Sequence, residues 1–123
     1  MKSKIGLVCF CFMCHISSVW ASDIQCTVQS YEQEFQIDIS PTEDVFQYNT
    51  INIVNGYRFS AQWLKTNDKI KTYVYYFLKT KHVLISQQEF NLNQTSCGLP
   101  FGKSTVYAGN HERELNFVCS KSC

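Results

Sequence analysis

Two stretches of strict alternation constrain this chain more than any other feature. Glu34-Phe-Gln-Ile-Asp-Ile-Ser40 sets Phe35, Ile37 and Ile39 on one side and Gln36, Asp38 and Ser40 on the other. Tyr57-Arg-Phe-Ser-Ala-Gln-Trp63 does the same, with Tyr57, Phe59, Ala61 and Trp63 opposed to Arg58, Ser60 and Gln62. A period of two is a strand period, and one apolar face with one polar face belongs to an antiparallel sheet packed on one side. No window sustains a helical stripe over about three turns, so the chain reads as all-β.

The remaining strands are marked by their punctuation. Asn55-Gly56 separates Ile51–Val54 from the 57–63 strand and predicts a two-residue hairpin turn, because both residues tolerate positive φ. Pro41 ends the 34–40 strand, since it has no N–H for a ladder. The segment Thr42 to Tyr48 reads as a helical turn or as a short strand. Ile70-Lys-Thr-Tyr-Val-Tyr-Tyr-Phe-Leu78 is apolar on both faces over residues 73 to 78. The expectation for it is a central strand covered on two sides; an exposed aromatic face used for binding is the other reading. Lys69, Lys71, Lys79 and Lys81 flank it as gatekeepers against aggregation. A partner strand follows at His82 to Leu92, then a loop at Cys97–Gly102, then strands at Ser104–Ala108 and Glu112–Cys119. About eight short strands at turn spacings of roughly ten residues predict a small antiparallel β-sandwich or a barrel-like sheet.

The N-terminus carries a sharper motif that does not survive scrutiny. Cys11-Phe-Met-Cys14-His15 has the spacing of c-type haem attachment. It lies, however, in an uncharged run that follows Lys2 and Lys4 and precedes Val19-Trp20-Ala21: the basic, apolar and small-residue parts of a secretory signal peptide. The run is too short for a membrane span, which needs roughly 20 apolar residues. Residues 1–21 therefore read as a signal peptide and 22–123 as one β domain, with no haem, metal or other cofactor and no membrane span after cleavage. The expected location is outside the cytoplasm, periplasmic or secreted, with a bacterial periplasm preferred. Asn93-Gln94-Thr95 would be a glycosylation acceptor only in a eukaryote.

Removing 21 of the 123 residues leaves 102, among them Cys26, Cys97, Cys119 and Cys123. Four cysteines in a small exported domain imply two disulfides. Cys26 continues the stripe of Ile24 and Val28, and Cys119 that of Leu115 and Phe117, which favours Cys26–Cys119 with Cys97–Cys123. Joining Cys97 to Cys119 and Cys26 to Cys123 is the rival arrangement.

After residue 21, nine Lys or Arg face ten Asp or Glu, a formal charge of −1, at which a basic stripe for nucleic acid is a poor alternative. The signs are segregated: residues 23–44 hold six acids and no base, and residues 58–81 hold six bases and one acid. Neighbouring strands that attract each other would account for this pattern.

Catalysis is not expected. Two histidines follow the signal, His82 and His111, and no serine sits in a nucleophile elbow. The densest polar cluster, Gly109-Asn-His-Glu-Arg-Glu114, reads as a hairpin tip that could project Tyr107, His111 and Arg113 towards a partner. These features suggest a small exported binding module, monomeric, of which an inhibitor or immunity-type protein acting on another exported protein is one form. A structural subunit of the cell envelope or an appendage is the alternative. In size, export signal and cysteine content the chain resembles the periplasmic lysozyme inhibitors, although it lacks the S-G-x-x-Y loop of that family.

The small residues Val19 and Ala21 place signal cleavage before Ser22. Intact-mass measurement of the exported protein should give a chain starting at Ser22; a product that retains Cys11 and Cys14 would contradict the assignment.

Overall fold

The computed structural model describes residues 24–31, 33–53, 56–108 and 113–122. Nine strands follow one another: β1 (Ile24–Ser30), β2 (Gln33–Ile39), β3 (Pro41–Thr42), β4 (Asn49–Ile53), β5 (Tyr57–Leu64), β6 (Lys69–Leu78), β7 (Lys81–Asn91), β8 (Pro100–Ala108) and β9 (Arg113–Lys121). One 3-10 turn, Leu92–Gln94, joins β7 to the loop before β8. The strands form two sheets. The first has the order β2-β1-β9-β8; the second runs β3-β5-β6-β7, with β4 also paired to β5. All pairings are antiparallel except the two-residue β3, which lies parallel to the end of β5.

The sheets stack through the stripes that alternation predicts. Ile24, Cys26, Val28, Leu115, Phe117 and Cys119 line the inner face of the first sheet, and Tyr57, Phe59, Ala61, Ile70, Val74 and Tyr76 that of the second. Phe59 meets Phe117 across the interface with ring centroids 5.1 Å apart. Tyr57 packs edge-on against Tyr76 at 5.0 Å. Phe35 and Ile37 of β2 are partly buried against the same core.

The first and last described strands meet in the first sheet, where β1 and β9 place Cys26 directly opposite Cys119 and bond them. The two cysteines are 93 residues apart. A closed loop of that length stabilises the fold by about 4 to 5 kcal/mol in the chain-entropy model. Cys97 is also disulfide-bonded. Cys123, the partner assigned to it from sequence, lies outside the described residues.

Where the sheets approach at one side, β7 and β8 are tied by side chains. Gln88 and Ser104 exchange hydrogen bonds of 2.7 and 2.9 Å, and Phe90 packs edge-on against Phe101 at 5.6 Å. The register of β8 on β9 slips between Phe101 and Ser104, where Gly102 adopts φ +65°. This is a bulge that only glycine occupies without strain.

Four sequence readings are corrected. Ile53 pairs with Tyr57, so three residues rather than two separate β4 from β5; Gly56 at φ +96° completes that loop. Residues 43–48 form neither helix nor strand but turns, because Gln47 N–H bonds back to the Asp44 carbonyl and the Gln62 side chain of β5 donates to the Val45 and Gln47 carbonyls. The acidic and basic segments are neighbours only in part: β2, with Glu34 and Asp38, pairs with β1 in the first sheet, while β3, followed by Glu43 and Asp44, lies along the end of β5 in the second. The 73–78 run is buried on one side and only partly covered on the other. Val74 and Tyr76 are buried, whereas Phe77 on the opposite face is 45% exposed.

A Cβ on Gly102 would meet the Phe90 ring at 2.6 Å and would also sit at unfavourable φ. Gly102→Ala should therefore cost about 2 kcal/mol in urea unfolding of the oxidised protein, from strain and overpacking together. An unchanged midpoint would show that the bulge is not as tight as described.

Candidate functional site

Antiparallel register arranges the outer face of the second sheet in rows. Asn52, Arg58, Tyr75 and Leu84 stand side by side across β4, β5, β6 and β7. The next row is Thr50, Ser60, Tyr73 and Gln87, followed by Gln62, Lys71 and Glu89. On the other side of the Arg58 row, Phe77 faces His82, and Phe77 N–H donates to the Gly56 carbonyl at 2.8 Å. A bulge at the Val74/Tyr75 step keeps Leu84 and Gln87 on this face while Ile85 turns to the core.

An aromatic column thus runs down β6 as Tyr73, Tyr75 and Phe77, facing away from the core. Tyr73 and Tyr75 stack at 6.4 Å, and Phe77 packs on the His82 ring at 5.1 Å. Tyr48 extends the column sideways, edge-on to Tyr73 at 5.7 Å. The loop that carries Tyr48 is held by Gln62, whose Nε2 lies 2.9 Å from the Val45 carbonyl and 3.2 Å from that of Gln47. Gln62 points outward yet is only 2% exposed, because this loop covers it. Within the loop, Thr42 Oγ1 donates to Gln47 Oε1 and accepts from Asp44 N–H, and Asp44 Oδ1 accepts from Phe46 N–H. That set of bonds presents Phe46 at its crest, 85% exposed.

Phe46, Val45, Tyr48, Phe77 and Leu84 are all exposed large apolar or aromatic side chains of this one face and its loop. Charges surround it: Arg58 Nε donates to Asn52 Oδ1 at 2.9 Å, and Lys69 pairs with Glu89 at 2.8 Å. The Lys69 bond holds the Glu89 carboxyl below its ordinary value, with the charge of Lys71 adding to the effect.

The outer face of the first sheet is different in kind. A shallow depression of about 450 Å³ there is lined by Thr27, Gln29, Lys103, Thr105 and Asn116. It is larger than the hollow of about 350 Å³ beside Phe77 and His82, but two of its polar groups are already engaged: Thr105 donates to Asn116 Oδ1 at 2.6 Å, and Asn116 donates to Glu114 at 2.7 Å. Satisfied groups offer a ligand little that water does not.

Of the residues singled out from sequence as a binding tip, Tyr107 is placed at the end of β8, opposite Glu114 and 63% exposed. Arg113 opens β9 opposite Ala108, and His111 lies outside the described residues. Tyr107 belongs to the first sheet and does not join the aromatic column. Among the described residues no group of three His, Cys, Asp or Glu side chains could hold a metal ion. No described helix is long and apolar enough to cross a membrane. The aromatic column was signalled in the sequence only by the 73–78 run, whose two readings differ in which face is covered. No family model, curated protein or solved structure matches the chain.

Burial raises the Tyr73 phenol above its ordinary value, and the charges of ionised Tyr48, Tyr75 and Glu89 act in the same direction. A raised folded value favours the native state fully below the unfolded tyrosine value of about 10, and the benefit disappears as pH rises through the folded value. Thermal melts on the alkaline side should therefore fall less steeply for Tyr73→Phe than for the wild type. Parallel curves would show that Tyr73 is not in this environment.

Proposed function

We propose that this chain is a small exported binding module that docks on another exported protein through the outer face of the second sheet, as an inhibitor or immunity-type protein does. The observation that carries the reading is the outward-facing aromatic column of half-buried Tyr73 and Tyr75 and exposed Phe77, with exposed Tyr48 and Phe46 beside it on a loop anchored by Gln62. Tyrosine and arginine concentrate at interface hot spots because they cover area while forming hydrogen bonds. A rigid sheet presents them with little further loss of side-chain freedom on binding. Export is supported by the signal-like N-terminus and by a disulfide that an oxidising compartment preserves.

Assembly into an envelope or appendage subunit is the weaker reading, because the sheet edges are blunted. Glu34 and Asp38 stand on β2, Pro41 is in β3, Pro100 opens β8 and a bulge interrupts it, and another bulge interrupts β7. Such devices oppose the addition of a strand from another chain.

The test is retention of a partner from an extract of exported proteins by the immobilised, oxidised domain. The double variant Tyr75→Ser/Phe77→Ser should lose that partner with thermal stability nearly unchanged, since both side chains are outside the core, whereas Tyr107→Ala should keep it. Retention by the double variant, or loss through Tyr107→Ala, would remove the aromatic face from the account.

A further inference from the structure

At one end of the aromatic column a cleft of about 350 Å³ opens between the strands, lined by Asn52, Gly56, Arg58, Phe77 and His82. Among its described lining residues Arg58 is the one permanently charged group. Its Nε donates to Asn52 Oδ1 at 2.9 Å, which orients the guanidinium and leaves the terminal nitrogens for another acceptor. Among the described residues no carboxylate pairs with it. Its neighbours in the row are Asn52 and Tyr75, and Glu89, two rows away, is held by Lys69. The wider field is mostly positive: Arg58, Lys65, Lys69, Lys71, Lys79 and Lys81 lie on β5 to β7 and their turns, against Asp68 and Glu89 there and Glu43 and Asp44 in the loop on Gln62.

We propose that this cleft receives an Asp or Glu side chain of the partner protein, with an apolar neighbour of that residue laid on Phe77 and Tyr75. The inference rests on the reading of this face as a docking surface and names its anchor. A guanidinium offers a planar fork that matches one carboxylate, which a lysine ammonium does not. The Phe77 ring beside it lowers the local polarity, so the pair attracts more strongly than on an open surface. A phosphate-rich surface such as a membrane would call for several cations converging on the cleft, and the other five stand outside its lining.

The probes are N-acetyl-Glu-Phe-amide and N-acetyl-Gln-Phe-amide, titrated into the isotope-labelled, oxidised protein and followed by NMR. The glutamate dipeptide should bind about tenfold more tightly, the worth of one charge-assisted hydrogen-bond pair. Shifts should centre on Arg58, Phe77 and His82. Arg58→Gln should abolish the preference, Arg58→Lys should reduce it, and Lys103→Gln on the other sheet should leave it intact, with melting curves confirming that each variant folds. Equal affinities with shifts still on Tyr75 and Phe77 would overturn the carboxylate site while leaving the docking face standing. Absence of binding by both dipeptides, or a preference that survives Arg58→Gln, would also overturn it. Tight adsorption to phosphatidylglycerol vesicles through Arg58 would assign the cleft to a membrane, and concentration-dependent self-association blocked by Arg58→Gln would assign it to a second copy.

Discussion

The register of β5 against β6 is the constraint on which the rest of the molecule depends. With Phe59 opposite Val74 and Tyr57 opposite Tyr76, one set of side chains enters the core and Tyr73, Tyr75 and Phe77 leave it. A slip of one residue would exchange the two sets, since strand side chains alternate strictly. The inner set is the better core: Val74 fits beside Phe59, and Tyr76 finds an edge-on partner in Tyr57. Arg58 and Lys71, which share the outer face with the aromatic column, could not be buried without large cost. The charges on β5 and β6 thus decide the face as firmly as the apolar residues do.

The first sheet closes the sandwich by a different device. Its central strands are the first and the last of the described chain, so the contact that completes the core spans almost the whole sequence. Bonding Cys26 to Cys119 removes much of the entropic cost of that closure. The β7–β8 side needs no covalent tie, because Gln88 with Ser104 and Phe90 with Phe101 join the two sheets there. Gly102 lets the β8 backbone come close enough to Phe90 for that contact.

Much of this architecture was legible in the sequence, for a simple physical reason. Alternation at 34–40 and 57–63 reports burial on one face, and Cys26 and Cys119 sit on the stripes of their strands, so strands, sandwich and this disulfide could be read from local pattern. The aromatic face could not. In Tyr73-Val-Tyr-Tyr-Phe77 every residue is suited to a core, and only the second sheet's being its own outer wall determines which of them meet water. The segregated charges were equally ambiguous, because sequence proximity does not say that β2 and β5 belong to different sheets. The hairpin tip after Tyr107 drew attention through composition, yet Tyr107 stands on the first sheet, away from the aromatic column.

The account's central claim, that β6 turns its tyrosine and phenylalanine column to solvent, is tested most directly by hydroxyl-radical footprinting of the oxidised protein with residue-level mass spectrometry. Tyr48 and Phe77 should be oxidised readily and half-buried Tyr75 less so, while Tyr57, Phe59 and Tyr76 remain protected. Rapid oxidation of Tyr76 with protection of Tyr75 and Phe77 would place the register one residue out and contradict the account.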